Sequence, residues 1–155
     1  MNLQWKGEEH VAANAAATWA FINDPGQISQ CLPDLLEATI IDAHSFEAVV
    51  RVALGPVRGK FKFKIVLEPQ PDGKHMKLKI SGGGLGSVVD LLADAQLTAN
   101  ADATTTLAWD GTATMRGPVA TVGGRVVDSQ AQRVISTTFA NVKTRLAGTT
   151  AAVPS

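Results

Sequence analysis

The sequence predicts an α+β domain in which a curved antiparallel sheet wraps around one long C-terminal helix, with two short helices near the N-terminus. Basic and apolar side chains alternate without a fault at 60–65, which is the period of a half-buried strand. From residue 118 to residue 146 the apolar residues follow a helical period instead. About six antiparallel strands precede that helix without interleaved crossovers, and this order defines the α+β class.

The first elements are a short strand and two short helices. Residues 3–8 alternate as a strand. Residues 15–22 form a helix with Asn14 as its N-cap, and the turn residues at 23–26 end it. A second short helix is predicted at 26–30.

The strands that follow are marked by alternation and by turn residues. A corner at 55–59 separates two of them, and turn residues at 69–73 join the next pair into a hairpin. The glycines at 82–86 indicate a hinge or a bulge, and the pattern at 88–93 fits either a helix or a strand. The predicted strands cover residues 38–41, 46–54, 61–68, 75–81, 95–99 and 105–115.

The long helix has a start signal and a stop signal. Pro118 suits its first turn, and Gly148 suits its C-terminal end. The chain is therefore expected to form one domain over residues 1–147, followed by a disordered tail at 148–155. The apolar stripe expected to face the sheet comprises Val119, Val122, Val126, Ile135, Phe139, Val142 and Leu146.

Composition argues against several classes of function. Lys plus Arg and Asp plus Glu number 14 each among 155 residues, so the net charge gives no reason to expect nucleic acid as a partner. Cys31 is the single cysteine, so no disulfide or multi-cysteine metal site forms within one chain. Charged residues near the N-terminus interrupt any signal peptide, and no stretch reaches the roughly 20 apolar residues of a membrane-spanning helix. We expect a soluble cytoplasmic protein.

The inner face of the predicted sheet combines large apolar residues with small ones. The small residues are Ala48, Ala95, Ala99, Gly111 and Ala113. Close-packed cores leave few voids, so a face of this kind favours a cavity that the helix does not fill, although the same residues could simply form a core. The predicted ligand-binding residues are Val50, Val52, Phe61, Phe63, Met76, Leu78, Leu97, Trp109, Val122, Val126 and Phe139.

The outer face of the predicted hairpin is basic. If Leu67 pairs with Met76, then Lys64 lies opposite Lys79, and like charges in that position destabilise a sheet. An anionic lipid surface at the inner face of the membrane, or an acidic protein surface, would explain these charges. The alternative is a solvated lysine edge that discourages aggregation. The predicted docking residues are Arg58, Lys60, Lys62, Lys64, Lys77 and Lys79.

No catalytic constellation is visible in the sequence. His10, His44 and His75 lie in separate segments without metal-ligand spacing. Asp90 and Asp94 are the best carboxylate candidates, yet nothing pairs them for acid and base catalysis. The sequence therefore predicts no catalytic residue, no metal site and no cofactor other than a bound ligand.

Three motifs resemble the G-subunit family of carbon monoxide dehydrogenase over about residues 1–147. They are Phe21-Ile22-Asn23-Asp24-Pro25, Cys31-Leu32-Pro33 and Gly55-Pro56-Val57-Arg58-Gly59-Lys60-Phe61. That family belongs to the START-like, Bet v 1-like superfamily of helix-grip folds. The resemblance implies an apolar cavity and an accessory role beside aerobic molybdenum carbon monoxide dehydrogenases, linked to membrane recruitment and quinone handling.

These observations predict a non-catalytic protein that binds a hydrophobic small molecule, best a quinone or another prenyl lipid. The Trp109 indole would donate a hydrogen bond to a quinone carbonyl, and Met76 would adapt to an irregular ligand. Access is expected near the glycine-containing segments 55–59 and 82–86. The alternative is a cyclase-like or hydrolase-like enzyme of the same superfamily, acting on a hydrophobic substrate.

Overall fold

Seven antiparallel strands form one sheet, and the longest helix packs across it. The computed structural model describes the backbone of residues 1–152 and the side chains of residues 1–147. The elements are β1 (Asn2–Val11), α1 (Ala15–Ile22), α2 (Pro25–Ser29), β2 (Leu35–Asp42), β3 (Ser45–Leu54), β4 (Val57–Pro69), β5 (His75–Gly84), β6 (Ser87–Ala99), β7 (Thr105–Arg116), α3 (Pro118–Thr121) and α4 (Gly124–Ala152).

The strand order is β1-β7-β6-β5-β4-β3-β2, which places β1 and β2 at the two edges. Every neighbouring pair is antiparallel. Residues 88–93, for which the sequence allowed a helix or a strand, lie within β6. The predicted α+β class, with its antiparallel sheet against a C-terminal helix, is confirmed, and the sheet has seven strands.

Side-chain caps begin the two short helices. Asn14 caps α1, since its Oδ1 accepts a hydrogen bond from Ala17 N at 2.8 Å. Asp24 caps α2 by accepting a hydrogen bond from Gly26 N at 2.9 Å. Pro25 takes the first position of α2, where a helix needs no N–H donor. The cap on α1 is the one predicted, and α2 begins one residue before the predicted start.

The register of the β4–β5 hairpin differs from the predicted one by two residues. Leu67 lies opposite Leu78, and not opposite Met76. Lys64 consequently faces Ser81, so the predicted pair of opposing lysines does not form. The turn is tighter than expected, because β4 continues to Pro69 and pairs there with Met76.

The predicted C-terminal helix is divided into two. Between α3 and α4, Gly123 has a φ of +100°, a left-handed conformation that favours glycine. α4 then continues to Ala152, past Gly148, where the sequence predicted its end. The predicted disordered tail at 148–155 lies outside the residues whose side chains are described, and 153–155 lie outside the described residues altogether. Among the residues described, no helix is long and apolar enough to cross a membrane.

Three apolar clusters hold α4 and the short helices on the sheet. One includes Phe21 of α1 and Leu146 of α4, and another joins Val119 and Val127 to the β3–β4 corner. The third lies beneath α2 and is built around Phe46. The space between the second and third clusters contains the cavity described next.

Candidate functional site

A cavity of about 250 Å³ lies between α4 and the sheet face that α4 covers. β3 and β4 line it with Ala48, Val50, Val52, Leu54, Phe61, Phe63 and Ile65. α4 lines it with Val127, Gln130, Ala131, Val134 and Ile135. The remaining lining residues are Trp5, Leu32, Pro33, Asp34, Arg51, Ile80, Val89, Leu91, Met115 and Val119.

Alanine occupies two of the lining positions, one on the sheet and one on α4. The lining residues of α4 follow the helical spacing of one stripe, and Ala131 stands in the middle of it. On the sheet side, Ala48 is fully buried and equally small. Larger side chains at these positions would fill the space, as they do in ordinary protein cores.

The polar lining residues gather on one side of the cavity. Arg133 Nη2 donates to Asp34 Oδ2 at 2.6 Å, and both side chains are about half exposed, so the cavity reaches the surface here. The Asp34 carbonyl oxygen accepts a hydrogen bond from Arg51 N at 3.0 Å. Gln130, also a lining residue, accepts a long hydrogen bond of 3.4 Å from Arg133 Nε. We call Asp34, Arg51, Gln130 and Arg133 the polar rim.

Trp5 contributes its indole ring to the lining while its N–H is already bound. Trp5 Nε1 donates to Asp128 Oδ1 at 2.6 Å, and the other oxygen of Asp128 accepts from Gln132 Nε2 at 2.9 Å. This network ties the edge strand β1 to α4. The cavity therefore has apolar walls, and its polar atoms concentrate at the rim.

Comparison with known proteins identifies the family. Residues 7–147 match the model of the family described as the G subunit of carbon monoxide dehydrogenase, CoxG. The chain belongs to this family. The resemblance seen in the sequence motifs is thereby confirmed, and no curated protein matches the chain.

Solved structures confirm the helix-grip fold. The chain is similar to a conserved protein from Geobacillus kaustophilus, with 24% identity and a TM-score of 0.85 over 94% of this chain and 96% of that one. A START superfamily protein from Mycobacterium smegmatis has 13% identity and a TM-score of 0.72, over 94% and 97%. The ZhuI aromatase/cyclase from Streptomyces sp. R1128 has 11% identity and a TM-score of 0.67, over 94% of each chain. Identities this low establish the fold alone.

In this CoxG family protein, four of the predicted ligand-binding residues line the cavity. They are Val50 and Val52 on β3, and Phe61 and Phe63 on β4. Their contact with a ligand stays a prediction. The period-two pattern of the two strands had placed all four on the inner face, which is where they lie.

Other predicted residues fill the core away from the cavity. Met76 and Leu97 are buried, Leu78 packs beside Met76, and Phe139 packs in the cluster of α1. Val122 packs in the cluster that includes Val119, without lining the cavity.

Trp109 packs against α4 on the inner face of the sheet, but it is not among the residues that line the cavity. Its ring lies 5.6 Å from that of Phe139, centroid to centroid. It also covers Gly7, where a side chain would place its Cβ 2.8 Å from Trp109 Cζ2. Its indole nitrogen is buried without a hydrogen-bond partner among the described residues.

The prediction that Val126 faces inward is wrong. Val126 is 45% exposed, whereas its neighbour Val127 is 3% exposed and lines the cavity. The helix is interrupted at Gly123, so α4 does not continue the helical spacing of α3. Extending the apolar stripe of α3 into α4 therefore selects Val126, one residue before the buried Val127. The pair Gly123-Gly124 was the signal in the sequence that could have revealed the break.

The predicted docking surface is partly neutralised by acidic neighbours. Lys62 Nζ lies 2.9 Å from Glu47 Oε2, and this carboxylate raises the pKa of Lys62. Lys79 Nζ lies 3.5 Å from Glu68 Oε1, close enough for an ion pair but without a hydrogen bond, and Lys77 lies opposite Glu68. Lys64 lies opposite Glu47 on β3. Among the described residues, Arg58 and Lys60, nearer the β3–β4 corner, have no acidic residue opposite them and form no ion pair.

The candidate catalytic groups lie outside the cavity. His75 Nε2 and Asp94 Oδ1 are 3.0 Å apart in a groove on the opposite face of the sheet. Burial raises the pKa of the Cys31 thiol, which donates to Gln27 O, so it packs as a neutral group. Within the described residues, no cluster of three or more His, Cys, Asp or Glu could hold a metal ion.

Access to the cavity was expected near the segments 55–59 and 82–86, but neither segment contributes a lining residue. The cavity reaches the surface at the polar rim instead.

Proposed function

We propose that this protein binds a hydrophobic small molecule in the cavity between α4 and the sheet. The ligand that we favour is a quinone. One observation carries the proposal: the walls are apolar, while the polar side chains that reach the surface gather on one side. Such a site binds by burying apolar area, with a few polar groups fixing the orientation.

The volume of the cavity suits the ring system of a quinone. At 250 Å³, it equals the share of liquid volume taken by about eight water molecules. Pockets that enclose a drug-sized ligand are usually about 300–1,000 Å³, so a whole prenylated quinone exceeds the space. Its head group would lie between Phe61, Val127 and Ala131, and its chain would leave past the polar rim.

The orientation of the ligand follows from the hydrogen-bond donors. A buried carbonyl without a partner is unfavourable by about 1–3 kcal/mol. The apolar walls offer no free donor, since the Trp5 N–H is already given to Asp128. We expect one quinone carbonyl to face the rim, where the side-chain amide of Gln130 can donate to it.

The family supports an accessory role. We propose that the bound quinone is exchanged with an aerobic molybdenum carbon monoxide dehydrogenase and that the protein helps recruit this enzyme to the membrane. Similarity to an aromatase/cyclase leaves a catalytic alternative to test. The one carboxylate among the lining residues, Asp34, is engaged by Arg133, which favours binding over acid and base catalysis.

A titration with a short-chain quinone tests the cavity. Ala131→Phe should lower the affinity about tenfold or more, because it occupies space whose burial by a ring contributes on the order of 1.5–3 kcal/mol. Val126→Phe is the matched control, since that side chain points to solvent. Quenching of tryptophan fluorescence measures binding, and equal affinity in both variants would contradict the assigned site.

The accessory role needs a second assay. Quinone-loaded protein added to purified carbon monoxide dehydrogenase should raise the rate of quinone reduction under carbon monoxide, and Ala131→Phe should not. A rate independent of the cavity variant would remove the delivery role while leaving ligand binding intact.

A further inference from the structure

Apolar side chains are exposed at the end of the domain where three corners of the chain meet. These corners are the β3–β4 turn, the β5–β6 turn and the segment that joins β7 to α4. Leu85 at the tip of the β5–β6 turn is 52% exposed, and Val126 near the start of α4 is 45% exposed. We call this region the turn end.

Contacts between the three corners make the turn end continuous. A Cβ placed on Gly59 would lie 3.0 Å from Leu85 Cδ1, so the Leu85 side chain lies beside the β3–β4 corner. A Cβ on Gly86 would lie 3.7 Å from Pro118 Cδ, which brings the same turn against α3. Val127, next to Val126, packs with Val119 in one cluster.

Leu85 occupies a backbone conformation that leucine rarely adopts. Its φ is +55°, in the left-handed region, where a side chain costs about 1–2 kcal/mol. Glycines precede and follow it, so a glycine at this position would have been the unstrained choice. Because half of the Leu85 side chain remains in solvent, its packing against Gly59 offsets only part of this unfavourable backbone energy.

The charge near Leu85 is predominantly positive. The segments 52–61, 82–89 and 111–127, which build this end, contain no Asp or Glu, and Asp90, Asp110 and Asp128 lie one residue beyond them. Within the part of the chain that the structure describes, none of their cations forms an ion pair. These cations are Arg58, Lys60, Arg116 and Arg125.

The turn end lies close to the cavity. Leu54 and Val119 belong to the apolar cluster of this end and also line the cavity wall. A partner seated on the turn end would therefore be separated from the cavity by one layer of side chains.

We propose that the turn end docks on an anionic phospholipid bilayer, with Leu85 and Val126 entering the interface and Arg58, Lys60, Arg116 and Arg125 facing lipid phosphates. Single exposed apolar residues on projecting turns can insert into the headgroup layer of a bilayer, and the basic residues around them can bind the lipid phosphates. A protein partner needs a larger patch, usually about 800 Å² on each side. The inference deepens the proposed function and rests on it for its purpose, since it names the surface by which the protein would be recruited to the membrane.

Vesicle sedimentation with ligand-free protein tests the proposal. Wild-type protein should bind vesicles containing phosphatidylglycerol more tightly than vesicles of phosphatidylcholine alone. Leu85→Gly should weaken binding about fivefold, through loss of half a leucine side chain from the interface. The double variant Arg58→Glu/Arg116→Glu should weaken it about twentyfold or more, because each basic residue near an anionic surface contributes roughly a fivefold factor.

Two matched controls lie on the outer face of the sheet. Leu92→Ser removes a leucine that is 58% exposed, and Lys64→Glu/Lys77→Glu reverses two charges of the lysine-rich hairpin. Both should bind vesicles nearly as well as wild type. Weaker binding in these controls than in the turn-end variants would overturn the proposal.

The remaining outcomes also decide. Absence of wild-type binding, or equal binding to neutral vesicles, overturns the proposal. Binding to soluble polyglutamate that survives Leu85→Gly would assign the surface to an acidic protein and overturn it as well. Quinone titration without vesicles keeps the two hypotheses separate: retained quinone binding without vesicle binding leaves the proposed function standing.

Discussion

Asp34 joins the loop after α2 to two other elements of the cavity rim. Its carbonyl oxygen holds Arg51 of β3, and its carboxylate holds Arg133 of α4. It does so with a φ of +58°, which an aspartate tolerates better than most residues. A ligand that passes the rim would therefore pass beside this ion pair.

Removing the ion pair should speed ligand release. Arg133→Ala should raise the release rate by a factor of about 1.4 to 5, because a half-exposed ion pair contributes about 0.2–1 kcal/mol. Stopped-flow release into vesicles measures the rate. Lys143→Ala, which breaks the pair of Lys143 with Glu9 at 2.8 Å without touching the lining, should leave it unchanged. An equal effect of both variants would contradict a gating role for Asp34 and Arg133.

The strain at Leu85 can be measured directly. Leu85→Gly should raise the free energy of unfolding by about 0.5–1 kcal/mol, because glycine adopts a φ of +55° without strain. Leu92→Gly, in the interior of β6, should lower it by about 1 kcal/mol. Urea denaturation compares the two, and destabilisation by Leu85→Gly would show that its contact with Gly59 outweighs the strain.

Among the elements, the β4–β5 hairpin shows what the sequence pattern could and could not predict. Alternation placed Phe61, Phe63 and Ile65 on the inner face, and this is correct. The register was wrong because a slip of two residues keeps every side chain on its own face, so period two does not detect it. The geometry of the turn sets the register instead. Gln70 N donates a hydrogen bond to His75 O at 2.8 Å, which closes a short loop between β4 and β5.

The observed register brings opposite charges together on the outer face. Glu68→Lys should lower the free energy of unfolding by about 0.5–1 kcal/mol, since the new lysine would lie opposite Lys77 and near Lys79. Added salt should reduce the loss, because these charges are solvent-exposed. Glu8→Lys on β1 is the comparison, and an equal loss there would argue against specific pairing at Glu68.

Helix α4 marks a second limit of pattern reading. Val119, Val122 and Val126 fit one uninterrupted helix, yet the left-handed Gly123 changes the phase between α3 and α4. Which residues of α4 face the cavity could therefore be assigned only from the backbone conformation at Gly123.

At the scale of the molecule, the fold was predictable and the position of the cavity was not. The order of elements and the family motifs both led to the helix-grip architecture, which the structure and its relatives confirm. A cavity is the space that side chains leave unfilled, and that depends on which residues of the sheet and of α4 come together, here with Ala48 and Ala131 among the lining residues. Trp109 was assigned to the cavity as a hydrogen-bond donor on the inner face, but its ring packs against Gly7 and Phe139 instead.

The most direct test of the central claim is mass spectrometry of an organic-solvent extract of the protein, purified from a quinone-producing host. We expect about one quinone or prenyl lipid per wild-type chain, the same in Leu92→Phe, whose side chain is exposed on the outer face of the sheet, and none in Ala131→Phe, in which the cavity is filled. An empty wild-type extract together with no uptake of added quinone, or equal ligand in both variants, would contradict the assignment of this cavity as the ligand site.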